Sequence, residues 1–170
     1  MMMRRFLPVG LIAVGILLIS GTLAWSYFGS LTGQPAEVSL PDSIAGLRIT
    51  NYTTGAQAIA DFENLHGKQF PVTSGSIGVY GNNEITLWAA GAPSAAIALE
   101  MTNAMQEKIA QGNSPFTPLE QFNQGNRTIH VLEGMGQKHY YFQSQNLVIW
   151  LAVDPALADQ ALQQILEVFP

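Results

Sequence analysis

The sequence contains no cysteine among its 170 residues. This absence excludes a disulfide framework, a thiol nucleophile and attachment of a lipid to an N-terminal cysteine. Charge is also scarce, because Asp, Glu, Lys and Arg together make up only 11% of the chain. The uncharged polar surface that results suits contact with a large partner. It suits an ordinary secreted domain equally well, and that explanation is the simpler one.

Basic residues are especially few. Beyond residue 28 the chain carries five Lys or Arg residues against twelve Asp or Glu residues, so this part has a net charge of −7 (5 − 12). Such a surface repels nucleic acid and the anionic face of a membrane, because both attract clustered positive charge. We therefore expect no nucleic-acid partner.

The common catalytic and metal-binding motifs are missing as well. The sequence has no Gly-x-Ser-x-Gly motif for a nucleophile, no His-x-His or His-Glu-x-x-His pattern for a metal, and no glycine-rich phosphate loop. Its carboxylate pairs, Asp61 with Glu63 and Asp154 with Asp159, are better explained by a helix surface and a helix cap. An enzyme is the less favoured hypothesis, and we expect no cofactor.

One long uncharged run is present, from Phe6 to Phe28, and Arg4 and Arg5 precede it. As a helix it would extend about 34 Å, enough to cross a hydrocarbon core of about 30 Å. A cleaved signal peptide is the alternative, but its apolar core is shorter, at about 7–15 residues. The aromatic residues at the end of this run also favour the membrane–water boundary. We predict a retained signal-anchor.

The two arginines set the orientation of this anchor. By the positive-inside rule, residues 1–5 stay in the cytoplasm and residues 6–28 cross the cell membrane once. The rest of the chain is then extracytoplasmic. Residues 29–40 are small and polar and predict a short linker, which would hold a folded domain of residues 41–170 close to the membrane. The membrane is thus an expected partner, through the transmembrane helix itself.

Hydrophobic periodicity and turn residues divide residues 41–170 into strands and helices. Strands are predicted at Leu47–Tyr52, Ser76–Tyr80, Ile85–Ala90, Arg127–Glu133, Lys138–Ser144 and Leu147–Val153, and helices at Gly55–His66, Pro93–Gln111 and Pro155–Phe169. Residues 112–126, rich in Asn, Gln, Gly and Pro, are predicted to be a loop.

The resulting order, β-α-β-β-α-β-β-β-α, predicts an α+β fold. Its first six elements match a ferredoxin-like core, to which a hairpin and a helix are added. An antiparallel sheet with its helices packed on one face is the simplest architecture for this order.

An internal echo supports this division of the chain. The segment that starts at Tyr80 aligns with the segment that starts at Phe142, an offset of 62 residues (142 − 80) that also places Trp88 on Trp150 and Pro93 on Pro155. Identities are few, so the echo indicates a hairpin followed by a helix twice, and does not establish a duplication. The two tryptophans are predicted to anchor the core beneath the helices.

Two histidines, His130 and His139, flank a predicted hairpin whose tip contains Met135. If all three side chains faced one side, they could hold a soft metal ion such as copper. Two ordinary sheet histidines and a flexible loop methionine explain the same residues more simply. The three remain candidates, and no metal is assigned.

Three apolar side chains are candidate partner contacts. Met135 lies between two glycines, and such a tip can present its side chain to a partner or fold it back onto the domain. Phe116 and Phe122 lie in the predicted loop 112–126, where they can dock on a partner or cover the edge of the core.

The leading hypothesis is a membrane-anchored extracytoplasmic interaction module, or an accessory subunit of a larger membrane protein complex, without catalytic activity. The alternative is a small-ligand or metal-binding domain that uses the sheet face or the 130–139 hairpin. Convergence of His130, Met135 and His139 on one point would favour the metal version.

Overall fold

The computed structural model of the chain describes residues 37–67, 69, 71–112 and 114–170. The predicted cytoplasmic segment 1–5, the predicted anchor 6–28 and the first part of the predicted linker, 29–36, lie outside the described residues. Among the helices of the described ranges, none is both long enough and apolar enough to cross a membrane.

The described part of the chain forms an α+β domain, as the sequence predicts. In chain order its elements are β1 (Ser43–Ile44), β2 (Leu47–Thr54), α1 (Gly55–His66), β3 (Ser74–Tyr80), β4 (Ile85–Gly91), α2 (Ala95–Ala110), β5 (Thr117–Gln124), β6 (Arg127–Gly134), β7 (Gln137–Ser144), β8 (Leu147–Val153), a 3₁₀ turn (Pro155–Leu157) and α3 (Ala158–Val168). All six predicted strands and three predicted helices are present.

Two strands are missing from the sequence prediction. β1 consists of two residues, and β5 lies inside the region predicted to be a loop. All eight residues of β5 are exposed. A strand without a buried face has no hydrophobic alternation, so nothing in its side chains distinguishes it from a polar loop. Backbone pairing with β6 holds it in the sheet.

All eight strands belong to one antiparallel sheet, in the order β1-β2-β3-β4-β8-β7-β6-β5. The centre of the sheet is the β4–β8 pair, in which Trp88 lies directly opposite Trp150. The edges are the short β1 and the exposed β5.

This topology corrects the prediction of a ferredoxin-like core. In a ferredoxin-like unit the strands on either side of a helix are parallel and another strand lies between them. Here β2 and β3, which flank α1, are adjacent and antiparallel. The chain leaves the sheet at Gly55, forms α1, and returns beside the strand that it left. Adjacent strands are antiparallel throughout the described sheet, and the connection from β4 through α2 to β5 crosses β8, β7 and β6 to reach the far edge.

The prediction that the helices pack on one face is also wrong. Cross-strand pairs define two faces: the first face bears Trp88 and Trp150, and the second bears Leu87 and Leu151. α2 packs on the first face against Val148, Leu132 and Tyr141. α1 packs on the same face, because its Phe62 lies over Gly75, which pairs with Ala90.

The second face is covered by α3. Leu162 and Ile165 of this helix join Leu87 and Leu151 in the largest buried cluster of the domain. The physical reason for helices on both faces lies in β8, whose sequence LVIWLAV is apolar at every position. A strand that alternates polar and apolar residues can leave one face in water, whereas a continuous apolar strand must be covered on both.

The folded domain also begins earlier than residue 41. Val38, which the sequence analysis assigns to the linker, is buried in the second-face cluster. Its backbone N–H donates to Ser76 Oγ at 2.9 Å, and its carbonyl oxygen accepts from the Tyr52 hydroxyl at 3.1 Å. Residues from Glu37 onward therefore belong to the domain.

Arg127 connects the β6 end of the sheet to α3. Its guanidinium Nη1 donates to the carbonyl oxygens of Leu166 and Phe169. Carbonyl groups at the C-terminal end of a helix lack partners within the helix and carry partial negative charge, so a guanidinium stabilises them.

The internal echo corresponds to real structure. β4 (Ile85–Gly91) and β8 (Leu147–Val153) keep the offset of 62 residues at both ends (147 − 85 and 153 − 91), and each closes a hairpin and leads into a helix. Because β4 and β8 are antiparallel, the helices that follow them start from opposite ends of the sheet, and they cover opposite faces. Trp88 and Trp150 are half-buried on the first face.

The close packing of α1 on Gly75 gives a stability prediction. A Cβ atom at this position would lie 2.8 Å from Phe62 Cε2 and 3.3 Å from Ile59 Cγ1. Gly75→Ala should therefore lower the free energy of unfolding by about 1–3 kcal/mol through overpacking. Urea denaturation measures this change.

The Phe62→Leu substitution provides the control, because it removes the ring that the new methyl group would touch. In a double-mutant cycle, the combined variant should be more stable than the sum of the two single changes predicts. If the changes in the free energy of unfolding of the two single variants were strictly additive, Gly75 would not be needed for the contact with α1.

Candidate binding surface

A row of rings crosses the first face of the sheet. His130 on β6, Tyr141 on β7, Trp150 on β8 and Trp88 on β4 are directly opposite one another in successive strand pairs. His130 stacks on Tyr141 with ring centroids 4.4 Å apart and an interplanar angle of 6°. Tyr141 in turn stacks on Trp150 at 5.2 Å and 11°. These contacts constrain the orientations of the His130, Tyr141 and Trp150 rings.

His139 lies one row away and uses both ring nitrogens. Its Nδ1 accepts a hydrogen bond from Trp150 Nε1 at 3.1 Å, and its Nε2 lies 3.0 Å from the carbonyl oxygen of Gly134. Because an indole N–H can only donate and a carbonyl can only accept, the proton must be on Nε2 and the ring must be neutral. The pKa of His139 is lowered by desolvation, which outweighs the opposing effect of its bond to Gly134.

The structure shows where the three candidate partner contacts lie. Phe116 is half-buried against the domain, with its ring centroid 4.7 Å from that of His139 and 5.0 Å from that of Trp150. Phe122 is 36% exposed on β5, and Met135 is 80% exposed. Met135 occupies the β6–β7 turn with a φ of 54°, a left-handed conformation that branched or long side chains rarely adopt.

The metal candidates share a hairpin, but the structure gives their side chains different roles. His130 pairs with Tyr141, whereas His139 pairs with Leu132, so the two histidines occupy different rows of the first face. Binding of a metal to His139 would require the loss of its bond to Trp150 or to Gly134. Within residues 37–67, 69, 71–112 and 114–170, no group of three or more His, Cys, Asp or Glu side chains is arranged to hold a metal ion.

An open cleft of about 250 Å³ lies on the first face beside the row of rings. Its walls are the last turns of α2, the first half of β5, and parts of β6 and β7. The lining residues are Gln106, Ile109, Ala110, Pro118, Leu119, Glu120, Gln121, His130, Val131, Leu132 and Tyr141. The cleft is mostly apolar. Glu120 is a lining residue, but it pairs with Val131, so its carboxylate lies on the second face, where it contributes to raising the pKa of Tyr140. The sequence gives no sign of this cleft, because one of its walls is β5, whose residues predict a loop.

Among the described residues, neither His130 nor His139 is paired with a carboxylate, as a proton-transfer site at this hairpin would require. The partners of His139 are an indole and a backbone carbonyl, and His130 stacks on a phenol ring.

Comparisons of the chain with family models, with curated proteins and with solved structures found no match. The function is therefore inferred from the geometry of the domain alone.

The edge strand β5 is the other exposed feature of this region. Its backbone has one partner strand, β6, and its side chains include Leu119 and Phe122, which are 49% and 36% exposed. A register shift between Pro118 and Glu120 interrupts the pairing near the start of the strand, and from Glu120 to Gln124 the register is regular. On the side away from β6, the backbone N–H and C=O groups of this regular half therefore pair with no other described strand.

The neutral state of His139 predicts a dependence of stability on pH. Burial lowers the pKa of both His130 and His139 below the ordinary value of 6.5. Their contribution to folding is therefore complete above pH 6.5 and is lost as the pH falls below it, since the unfolded chain then binds protons that the folded one resists. Urea denaturation at pH 8, 7, 6 and 5 should show a falling free energy of unfolding.

His139→Gln isolates the contribution of this residue. A glutamine amide can accept from Trp150 and donate to Gly134, but it does not titrate in this range. The variant should lose less stability between pH 7 and pH 5 than the unaltered protein. An identical loss in both proteins would mean that His139 does not cause the pH dependence.

Proposed function

We propose that this protein is a membrane-anchored extracytoplasmic interaction module without catalytic activity, and that it binds an extended segment of a partner protein along β5. The observation that supports this proposal best is the state of β5, a strand of eight residues that are all exposed at one edge of the sheet. Free edges of this kind accept an additional strand through main-chain hydrogen bonds.

The hairpin geometry identifies the groups that would receive the partner. Gln124 and Arg127 flank a two-residue loop, Gly125–Asn126, and such flanking residues exchange hydrogen bonds with each other. Alternate residues then face away from β6, so the backbone groups of Asn123 and Gln121 point toward the free edge. A partner segment would pair with these two residues.

The two edges of the sheet are protected to different degrees. β1 is a two-residue strand, and very short edge strands are one of the ways in which proteins prevent unwanted pairing. The regular half of β5 contains no lysine and no proline. Two exposed apolar side chains, Leu119 and Phe122, offer the partner side-chain contacts in addition to backbone bonds.

Met135 extends this surface at one end. Thr117, the first residue of β5, pairs with Glu133, and Met135 follows two residues later at the tip of the β6–β7 hairpin. An exposed methionine adapts to different apolar surfaces at low cost. The proposed contact surface therefore consists of the free edge of β5, Phe122 and Leu119, and the tip at Met135.

The anchor and the short linker supply the cellular part of the proposal. The uncharged run 6–28 behind Arg4 and Arg5 supports a single membrane span with the domain outside the cytoplasm. A domain held this close to the membrane suits an accessory subunit of a larger membrane complex. A metal ion at the 130–139 hairpin has less support, because both nitrogens of His139 already have partners.

Photo-crosslinking in native membranes tests the partner surface directly. Benzoylphenylalanine in place of Phe122 keeps an aromatic ring at the edge and should give an adduct of defined mass with one membrane protein. The same amino acid in place of Gln163, which is exposed on α3, is the control and should give no such adduct. Adducts from Gln163 alone, or from neither position, would contradict the proposal.

A proline at Asn123 tests the pairing itself. Asn123→Pro removes an outward-facing N–H without removing a backbone bond to β6, and the side-chain bond that it also removes, from Thr128 Oγ1 to Asn123 Oδ1, is exposed. The domain should therefore remain folded while the Phe122 adduct is lost. Urea denaturation of the variant shows whether the fold is intact. A folded variant that still forms the adduct would mean that the partner does not bind as an added strand.

A further inference from the structure

The edge strand β5 presents a carboxylate and an aromatic ring side by side on the second face of the sheet. Glu120 pairs with Val131 and Phe122 pairs with Ile129, and both partners belong to the second-face cluster. Residues two apart on a strand share one face, so the side chains of Glu120 and Phe122 are neighbours there. Both are exposed. A strand added to β5 would therefore meet a negative charge and an apolar ring on the same side.

A second carboxylate adds to the negative charge on this side of the sheet. Asp159 is exposed in the first turn of α3, the helix that covers the second face. Burial, and then the negative charges of Asp159 and Glu120, raise the pKa of Tyr140 above its ordinary value. Because the two carboxylates act on the same phenol, they lie near one another beside the edge of the sheet.

The cations of the neighbouring strands do not neutralise Glu120. Arg127 of β6 donates to the carbonyl oxygens at the end of α3, and Lys138 of β7 lies directly opposite Glu133. Glu120 forms no salt bridge with any other described residue. The part of the chain beyond residue 28 carries a net charge of −7 (5 − 12). A segment that approaches β5 therefore meets a negative potential, which attracts basic residues.

Charge and shape limit the strands that can pair here. Side chains directly opposite one another on neighbouring strands interact, and opposite charges stabilise the pair whereas like charges destabilise it. A Lys or Arg opposite Glu120 is therefore favoured. The residue two positions away on the same strand lies opposite Phe122, where an aromatic or β-branched side chain pairs best. A second copy of β5 does not fit, because its sequence TPLEQFNQ contains no Lys or Arg.

We propose that the strand which pairs with β5 is basic, with a Lys or Arg opposite Glu120 and an apolar residue, two positions away, opposite Phe122. This inference rests on the proposed function, because it names the kind of segment that binds the edge. Short translocated loops of membrane proteins seldom carry Lys or Arg, whereas long translocated domains carry them freely. The basic strand is therefore expected in an extracytoplasmic domain of the partner.

The partner residue that crosslinks to position 122 tests this sequence pattern. Benzoylphenylalanine in place of Phe122 is activated in native membranes, and the adduct is digested with a protease that does not cleave at Lys or Arg. Tandem mass spectrometry then identifies the crosslinked residue, and a Lys or Arg is expected two residues from it, before or after according to the strand direction.

The failure of this inference differs from the failure of the proposed function. A crosslinked segment without Lys or Arg at either position would overturn the inference and leave an added strand at β5 in place. An adduct with a second copy of this chain would overturn it in the same way. Absence of any adduct would overturn the proposed function and this inference together.

A matched pair of variants measures the contribution of the charge at Glu120. Glu120→Gln removes the charge with little change of shape, and Glu100→Gln makes the same change on the exposed surface of α2. An apparent dissociation constant is obtained from the yield of the Phe122 adduct in a dilution series of a detergent extract. Glu120→Gln should raise it about 2- to 5-fold, the range for one exposed ion pair, and Glu100→Gln should leave it unchanged.

Salt provides a second measurement on the same complexes. An increase from about 50 mM to about 500 mM should weaken the complex of the unaltered protein more than that of Glu120→Gln, because salt screens the charge pair that the variant lacks. A dissociation constant that Glu120→Gln leaves unchanged or lowers would show that no basic residue lies opposite Glu120, and it would refute the inference.

Discussion

The pairing of β4 with β8 is the constraint on which the rest of the domain depends. These two strands are apolar along almost their whole length, and they lie side by side at the centre of the sheet, seven residue pairs long. Both of their faces must therefore be removed from water. α1 and α2 cover one face. α3 and the short segment that begins at Val38 cover the other. The polar strands lie at the edges. The exposed β5, which carries the proposed function, is a consequence of this arrangement.

Much of the fold follows from the sequence, because most elements have a buried side. The six predicted strands and three predicted helices all have apolar positions that face a core, and the hairpin residues between them are distinctive. The placement of helices on both faces of the sheet can be predicted by the same reasoning. The continuous run LVIWLAV of β8 does not alternate, and that feature argues against a sheet covered on one face. The prediction of a ferredoxin-like topology was wrong because element order does not determine whether neighbouring strands are parallel.

The candidate site was harder to predict, for two physical reasons. β5 is held in the sheet by its pairing with β6 and buries none of its residues, so its side chains carry no signal of a strand, and Pro118 argues for a loop. The cleft is formed by α2, β5, β6 and β7 together, so it becomes recognisable only when the positions of these four elements are known. The sequence did identify His130, His139, Phe116, Phe122 and Met135 as residues of interest. It could not show that His139 is buried and Phe116 half-buried while Phe122 and Met135 face solvent.

Hydrogen exchange of the β5 amides tests the central claim, that this edge is covered by a partner strand in the native membrane. The N–H groups of Gln121 and Asn123 point away from β6, and no other described strand pairs with β5. Exchange is measured by mass spectrometry on the protein in its native membrane and again after purification. The account predicts slow exchange at these two amides in the membrane and fast exchange once the protein is purified. Equally fast exchange in both samples would show that the edge of β5 is free in the membrane and would contradict the account.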